Sequence, residues 1–132
     1  MQVTSIRSTQ NPKVKNLVRL RDGNHRRRQR RFLVEGRREI SRALEARTDL
    51  IELYFAPEYF GSDIEDAVLR SASDAGVALF RLSRDAFQKV AYRARPDGLL
   101  ALAIQWETSI DALRLSADPL LLVSEKIEKP GN

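Results

Sequence analysis

Six consecutive apolar residues, Leu99-Leu100-Ala101-Leu102-Ala103-Ile104, form the longest such run in the chain and constrain its fold more than any other feature. The run is too short to cross a bilayer. It has no alternating polar positions, so it reads as a strand apolar on both faces. Such a strand, taken as residues 99–106, needs cover on both sides and belongs inside a sheet with helices packed on each face.

The rest of the sequence supplies those layers. Asn11-Pro12 is a helix start, with Asn as cap and Pro at the first helical position. Val14, Leu17 and Val18 follow at helical spacing, and Asp22-Gly23-Asn24 ends the segment. Phe32-Leu33-Val34 reads as a short buried strand. Glu35-Gly36 turns it into a helix with Ile40, Ala43 and Leu44 inside and Arg37, Arg38, Arg42 and Arg47 outside. Residues 50–56 are the next strand, closed by Pro57. Ser62 and Glu65 match a capping box, opening a helix marked by Ile64, Val68, Ala72 and Ala75 and terminated by Gly76. Residues 77–82 form a third strand, and Ser83 caps a short helix with Phe87 and Val90 facing inward. Arg95-Pro96-Asp97-Gly98 is a turn. Strands alternating with helices predict an α/β fold, a small three-layer sandwich with a mostly parallel central sheet.

Charge is distributed unevenly. Residues 1–47 hold 14 Lys and Arg against 4 Asp and Glu, whereas residues 48–132 hold 9 against 14. The net +5 is therefore +10 at one end and −5 over the remainder. The positive pole centres on His25-Arg26-Arg27-Arg28-Gln29-Arg30-Arg31, a run that cannot be buried and is expected to loop or fray. Arginine's planar fork suits phosphate and its face stacks on bases, so this pole predicts a nucleic-acid partner held with strong salt dependence. The candidate contacts are Arg26, Arg27, Arg28, Arg30 and Arg31, with Lys13, Lys15, Arg19 and Arg21 on the preceding helix. Arg93 and Arg95 are further candidates, next in sequence to Tyr92, the aromatic placed to meet a base. Phosphate contacts carry no sequence information, so the patch alone says RNA or DNA. A DNA regulator is disfavoured by the lack of a helix-turn-helix signature.

Other chemistries find little support. The chain has no cysteine, which excludes a disulfide scaffold and a thiolate zinc site. No metal-ligand spacing, Walker loop or Gly-x-Gly-x-x-Gly is present. His25, the only histidine, lies among arginines. Glu35 has no identifiable acid partner and reads as structural, near a helix N-terminus. Tyr54, Phe55, Tyr59, Phe60 and Phe80 read as core. The 42% hydrophobic and 31% charged composition is that of a globular rather than a disordered chain. Without an apolar leader or spanning segment, a cytoplasmic location and no membrane partner are expected.

At the other end, Leu120-Leu121-Leu122-Val123-Ser124 reads as a buried strand leading to the turn Pro130-Gly131-Asn132. The expectation is that a second domain begins here and that the chain is part of a longer protein. The division expected is residues 1–107 as a nucleic-acid-binding domain, 108–118 as linker, and 119–132 as the start of a further domain.

Several segments together resemble the SpoU (TrmH-type) RNA ribose 2′-O-methyltransferases of the SPOUT superfamily. Thr4-Ser5 with Asn11-Pro12-Lys13-Val14-Lys15 is similar to the family's opening. Arg31-Phe32-Leu33-Val34-Glu35-Gly36 resembles its R-F-x-V-E-G signature, and Pro96-Asp97-Gly98-Leu99-Leu100-Ala101 its P-x-G-x-x-A turn and strand. Residues 121–132 resemble the first motif of the catalytic domain, with Asn132 at the position of the motif's asparagine, a catalytic-site residue; Lys129 stands where many relatives have an acid. The resemblance implies a substrate-binding domain like that of kink-turn-binding ribosomal proteins, followed by the first strand of a knotted SPOUT domain. It implies RNA, and rRNA above all, as partner, and S-adenosylmethionine as the methyl donor in the full-length parent. None is expected to bind this fragment, which alone is expected to be inactive. It further implies homodimerisation through the catalytic domain. The alternative from another class is a stand-alone kink-turn-type RNA-binding module without catalytic activity.

Overall fold

A computed structural model describes residues 2–125. In chain order the elements are β1 (Val3–Ile6), α1 (Pro12–Arg19), α2 (Gly23–Gln29), β2 (Arg31–Glu35), α3 (Arg37–Glu45), β3 (Leu50–Phe55), α4 (Ile64–Asp74), β4 (Ala78–Leu82), α5 (Arg84–Val90) and β5 (Leu99–Ile104). Short 3₁₀ turns occupy Pro57–Tyr59 and Ile110–Ala112. The five strands form one sheet in the order β1-β4-β3-β5-β2.

Helices cover both faces, as the apolar run of β5 requires. On one face α1 and α5 bring Val14, Leu17, Leu20, Phe87 and Val90 against Tyr54, Leu82, Leu100 and Leu102. On the other, α3 and α4 bring Ile40, Val68, Leu69 and Ala72 against Leu53, Phe55, Leu99 and Ala101. Leu99 to Ala103 are buried throughout, their alternate side chains feeding the two cores. Each fully buried Leu or Phe contributes about 1.5–3 kcal/mol of transfer free energy.

The sheet is mixed, not mostly parallel. β1 pairs with β4 and β4 with β3 in parallel, whereas β5 runs antiparallel to both β3 and β2. Burial on both faces marks an interior strand, but it is set by the flanking helices and carries no information on direction. β2 is an edge strand, and Phe32, Leu33 and Val34 are half-buried rather than buried.

Residues 22–30 depart furthest from expectation. Asp22-Gly23-Asn24 ends α1 but also starts α2, because the Asp22 carboxylate accepts the N–H groups of Asn24 at 2.8 Å and His25 at 3.3 Å. Those two backbone bonds hold the Asp22 carboxyl below its ordinary range. The arginine run is therefore helical from His25 to Gln29. Arg26, Arg27 and Arg28 lie in the last turn, where the helix dipole favours positive charge. Paired amide bonds between Asn16 and Gln29, at 3.1 and 2.8 Å, tie α2 to α1. The helix closes at Arg30 in the left-handed region, φ 51°.

Two smaller corrections concern α4 and the C-terminal segment. The inner face of α4 is Glu65, Val68, Leu69 and Ala72, while Ile64 and Ala75 are exposed. Glu65 is only 1% exposed; it accepts from Ser62 and pairs with Arg37 at 3.0 Å. Burial raises its pKa, but its own amide, Ser62 and Arg37 outweigh that and hold it below the ordinary value. Residues 120–125 form no strand, and Leu120, Leu122 and Val123 are exposed. A strand needs a neighbouring ladder, and among the described residues no edge of the sheet pairs with this segment.

Candidate RNA-binding grooves

As an edge strand, β2 leaves one long side uncovered, and two grooves run beside it. The first, about 420 Å³, is bounded by Leu20, Arg21, Arg26, Leu33, Tyr92 and Arg93. The second, about 330 Å³, is bounded by Gly23, Arg26, Arg27, Phe32 and Trp106. Arg26 and Phe32 line both, so the grooves adjoin.

The arginines here have two kinds of work. Arg26 donates to the Leu20 and Arg21 carbonyls at 3.0 and 2.6 Å, satisfying the end of α1. Arg21 donates to the Lys89 and Ala91 carbonyls at 2.8 and 2.7 Å, doing the same for α5. Its guanidinium carbon lies 5.7 Å from the centroid of the Tyr92 ring. Cations at helix C-termini are favourable in charge and satisfy orphan carbonyls. Both residues therefore hold the walls while adding positive charge to them.

The loop after α5 is fixed from two sides. Glu35 accepts the N–H groups of Tyr92 at 2.7 Å and Arg93 at 3.2 Å. This corrects the expected role of Glu35: the acid that accepts the N–H at the start of α3 is Asp97, bonded to Arg37 N at 2.8 Å, because Gly36 has no side chain to cap with. Gly36 sits at φ 112°, and a Cβ there would lie 2.6 Å from Arg93 Nη1. Arg93 pairs with Glu39 at 2.7 Å. That bond raises the Arg93 pKa, while the Glu39 carboxyl is lowered by its own amide and then by Arg93.

The other sequence candidates scatter. Lys13 is bound to Glu52 and lies 4.4 Å from the Phe80 ring centroid. Neither it nor Lys15 lines a groove. Arg27 lines the second groove and bonds Asn24. Arg28 and Arg95 are exposed and form no ion pair among the described residues. Arg30 faces Glu107 at 3.6 Å, and Arg31 is half-buried opposite Ile104. Tyr92 is 77% exposed beside the first groove. Tyr54 and Phe55 are buried, and Tyr59, Phe60 and Phe80 are half-buried. Asn132 lies outside the described residues. Sequence reasoning missed Trp106, 62% exposed and braced edge-to-face on Phe32 at 5.4 Å. A lone Trp just past an apolar strand was the available signal. Among the described residues no helix is long and apolar enough to cross a membrane, and no cluster of metal-binding side chains occurs.

Residues 11–101, which carry every residue lining the first groove, match the MRM3-like substrate-binding domain. The chain belongs to that family. A solved RNA 2′-O ribose methyltransferase is 39% identical over 96% of this chain and 47% of its own, with a TM-score of 0.73. An rRNA methyltransferase from Sinorhizobium meliloti shares the fold at 20% identity, over 86% of this chain and 41% of its own, with a TM-score of 0.69. The SpoU methyltransferase AviRb from Streptomyces viridochromogenes does so at 20% identity over 80% and 37%, with a TM-score of 0.65. The chain thus spans under half the length of these structures. No curated protein sequence matches it. The resemblance to SpoU (TrmH-type) RNA methyltransferases is borne out by the family match and these neighbours.

S-adenosylmethionine carries a cationic sulfonium. The two grooves of this family member are lined by guanidiniums, and both oxygens of Glu35 are committed to backbone amides. The donor set suits phosphate and does not fit that cofactor.

Proposed function

We propose that this chain binds RNA along β2, α2 and the loop after α5, and positions it for 2′-O-ribose methylation by a catalytic domain of the longer protein. The reading rests on one observation above all: the grooves of a methyltransferase substrate-binding domain are walled by Arg21, Arg26, Arg27 and Arg93. Residues 1–107 would form the RNA-binding domain, 108–118 the linker and 119–132 the start of the catalytic domain, with Asn132 in its first motif. Exposed Arg27, Arg28, Arg30 and Arg95, with half-buried Arg31, would neutralise phosphates. Arg26 and Arg93 would do so from the groove walls, and Lys13 and Lys15 from α1. The domain's share of catalysis is orientation, which accounts for much of the barrier lowering in a bimolecular transfer. Methyl transfer, S-adenosylmethionine binding and dimerisation are assigned to the catalytic domain, and rRNA is the expected substrate in the cytoplasm.

The test is RNA affinity of the 132-residue chain as a function of salt. The expected result is a logarithmic affinity that falls linearly with logarithmic salt, by about 0.7 per phosphate neutralised on a single strand. A flat dependence, or no binding at low salt, contradicts the proposal. For the longer protein, mapping methylated riboses in co-purified RNA checks the remainder.

A further inference from the structure

We infer that the two adjoining grooves are subsites for unpaired RNA bases, with Tyr92 and Trp106 as stacking platforms. The inference rests on the RNA-binding reading above and adds which form of RNA is bound and by which residues.

Both aromatics are exposed, yet neither hangs free. Trp106 is braced perpendicular to Phe32, and Tyr92 is anchored through its backbone N–H to Glu35 and flanked by the Arg21 guanidinium. An exposed, immobilised aromatic loses little entropy when a base stacks on it. Each ring also has a cation at hand: Arg21, Arg26 and Arg93 in the first groove, Arg26 and Arg27 in the second. Aromatic faces interleaved with guanidiniums are the pattern that binds single strands, the rings taking bases and the cations taking the backbone. Groove volumes of about 420 and 330 Å³ lie in the range of small-ligand pockets.

A duplex would leave this arrangement idle. Base-paired RNA offers phosphates and 2′-hydroxyls, with base faces hidden in the stack. The two platforms are anchored at Phe32 and Glu35, three residues apart on one strand and so about 10 Å along it. That exceeds the stacked rise of about 3.4 Å per nucleotide of a duplex strand. Consecutive nucleotides seated at both anchors would have to unstack from one another.

The chain contains a single tryptophan, so its fluorescence reports on Trp106 alone. The experiment compares a fluorescein-labelled single-stranded oligoadenylate, a duplex RNA and an abasic oligoribonucleotide, matched in phosphate number. The single strand is expected to quench Trp106 emission and to bind the tightest. Trp106→Ala and Tyr92→Ala are each expected to weaken it by about tenfold with the salt slope unchanged, since one stacked base is worth roughly that factor. Trp106→Phe should retain most of the affinity, and its unaltered melt separates stacking from misfolding. Equal affinity of wild type for the abasic and adenylate strands, or no loss in Trp106→Ala, overturns the stacking inference. If Arg27→Ala still weakens binding in that case, the RNA-binding reading survives alone. If wild type binds none of the three probes at low salt, both fall together.

Discussion

The Glu35 carboxylate accepts the backbone N–H of Tyr92 at 2.7 Å, fastening the edge strand to a loop 57 residues further along the chain. The same carboxylate takes the Arg93 N–H at 3.2 Å. One side chain thereby sets where the exposed Tyr92 ring sits beside the first groove. Glu35→Ala frees the loop. The net loss of two such bonds is about 1–3 kcal/mol, which lowers the melting temperature of a domain this size by several degrees. RNA affinity should fall together with stability. Glu35→Gln, which keeps an acceptor oxygen, should lie between wild type and Glu35→Ala. An alanine variant with unchanged melt and unchanged affinity would show the contact to be idle.

Arg26 and Arg28 are neighbours in one basic run but do different work. Arg26 satisfies the Leu20 and Arg21 carbonyls at the end of α1, whereas Arg28 is exposed. Arg26→Ala is expected to cost about 1–2 kcal/mol of stability as well as RNA affinity. Arg28→Ala should stay within about 0.5 kcal/mol of wild type and lose affinity only. The salt slope should drop by about 0.7 if Arg28 touches one phosphate. Urea unfolding and a salt titration on both variants separate the two roles.

The contrast also shows what the sequence could and could not disclose. Apolar spacing marked α1, α3 and α5 with their buried faces, and the run Leu99–Ile104 as an interior strand, because burial leaves a periodic trace. β1 left none, since only Ile6 of its four residues is buried. Strand direction left none either, so the antiparallel pairing of β5 was out of reach. The helical state of the arginine run was hidden for another reason. It rests on the Asp22 cap and the Asn16–Gln29 bonds, polar contacts that a charge count does not register. At the candidate site the arginines were legible as charge, but their division into wall and contact was not. Trp106 joins the site beside Phe32, a residue 74 positions earlier whose proximity requires the folded sheet.

Glu65 makes acid sensitivity predictable. Its carboxyl is buried, paired with Arg37 at 3.0 Å and held below the ordinary value of 4.5. A group whose pKa is lowered in the folded state binds protons more readily when unfolded. Its stabilising contribution is therefore complete above about pH 4.5 and is lost as pH falls through the folded value. Glu65→Gln should be less stable than wild type near neutrality by about 1–3 kcal/mol. The gap should narrow as pH drops below 4.5. Urea midpoints for both proteins across that range check the sign, and a gap that widens in acid refutes it.

Arg30 ends α2 with φ at 51°, a left-handed backbone that side chains with a Cβ disfavour by about 1–2 kcal/mol. Its carbonyl accepts the Gln105 N–H at 2.9 Å, so the sheet edge holds the conformation in place. Glycine at this position removes the steric cost but loses about 0.5–1 kcal/mol in chain entropy. It also gives up the exposed, solvent-screened Glu107 pair at 3.6 Å. Arg30→Gly should therefore lie within about 0.5 kcal/mol of wild type, since these contributions nearly cancel. A β-branched replacement keeps none of the compensation. Arg30→Val should fall below Arg30→Gly by about 1–2 kcal/mol, and both should bind RNA more weakly than wild type if Arg30 meets a phosphate. Thermal melts rank the three proteins. A valine variant as stable as the glycine one would remove the left-handed turn as the reason α2 stops here.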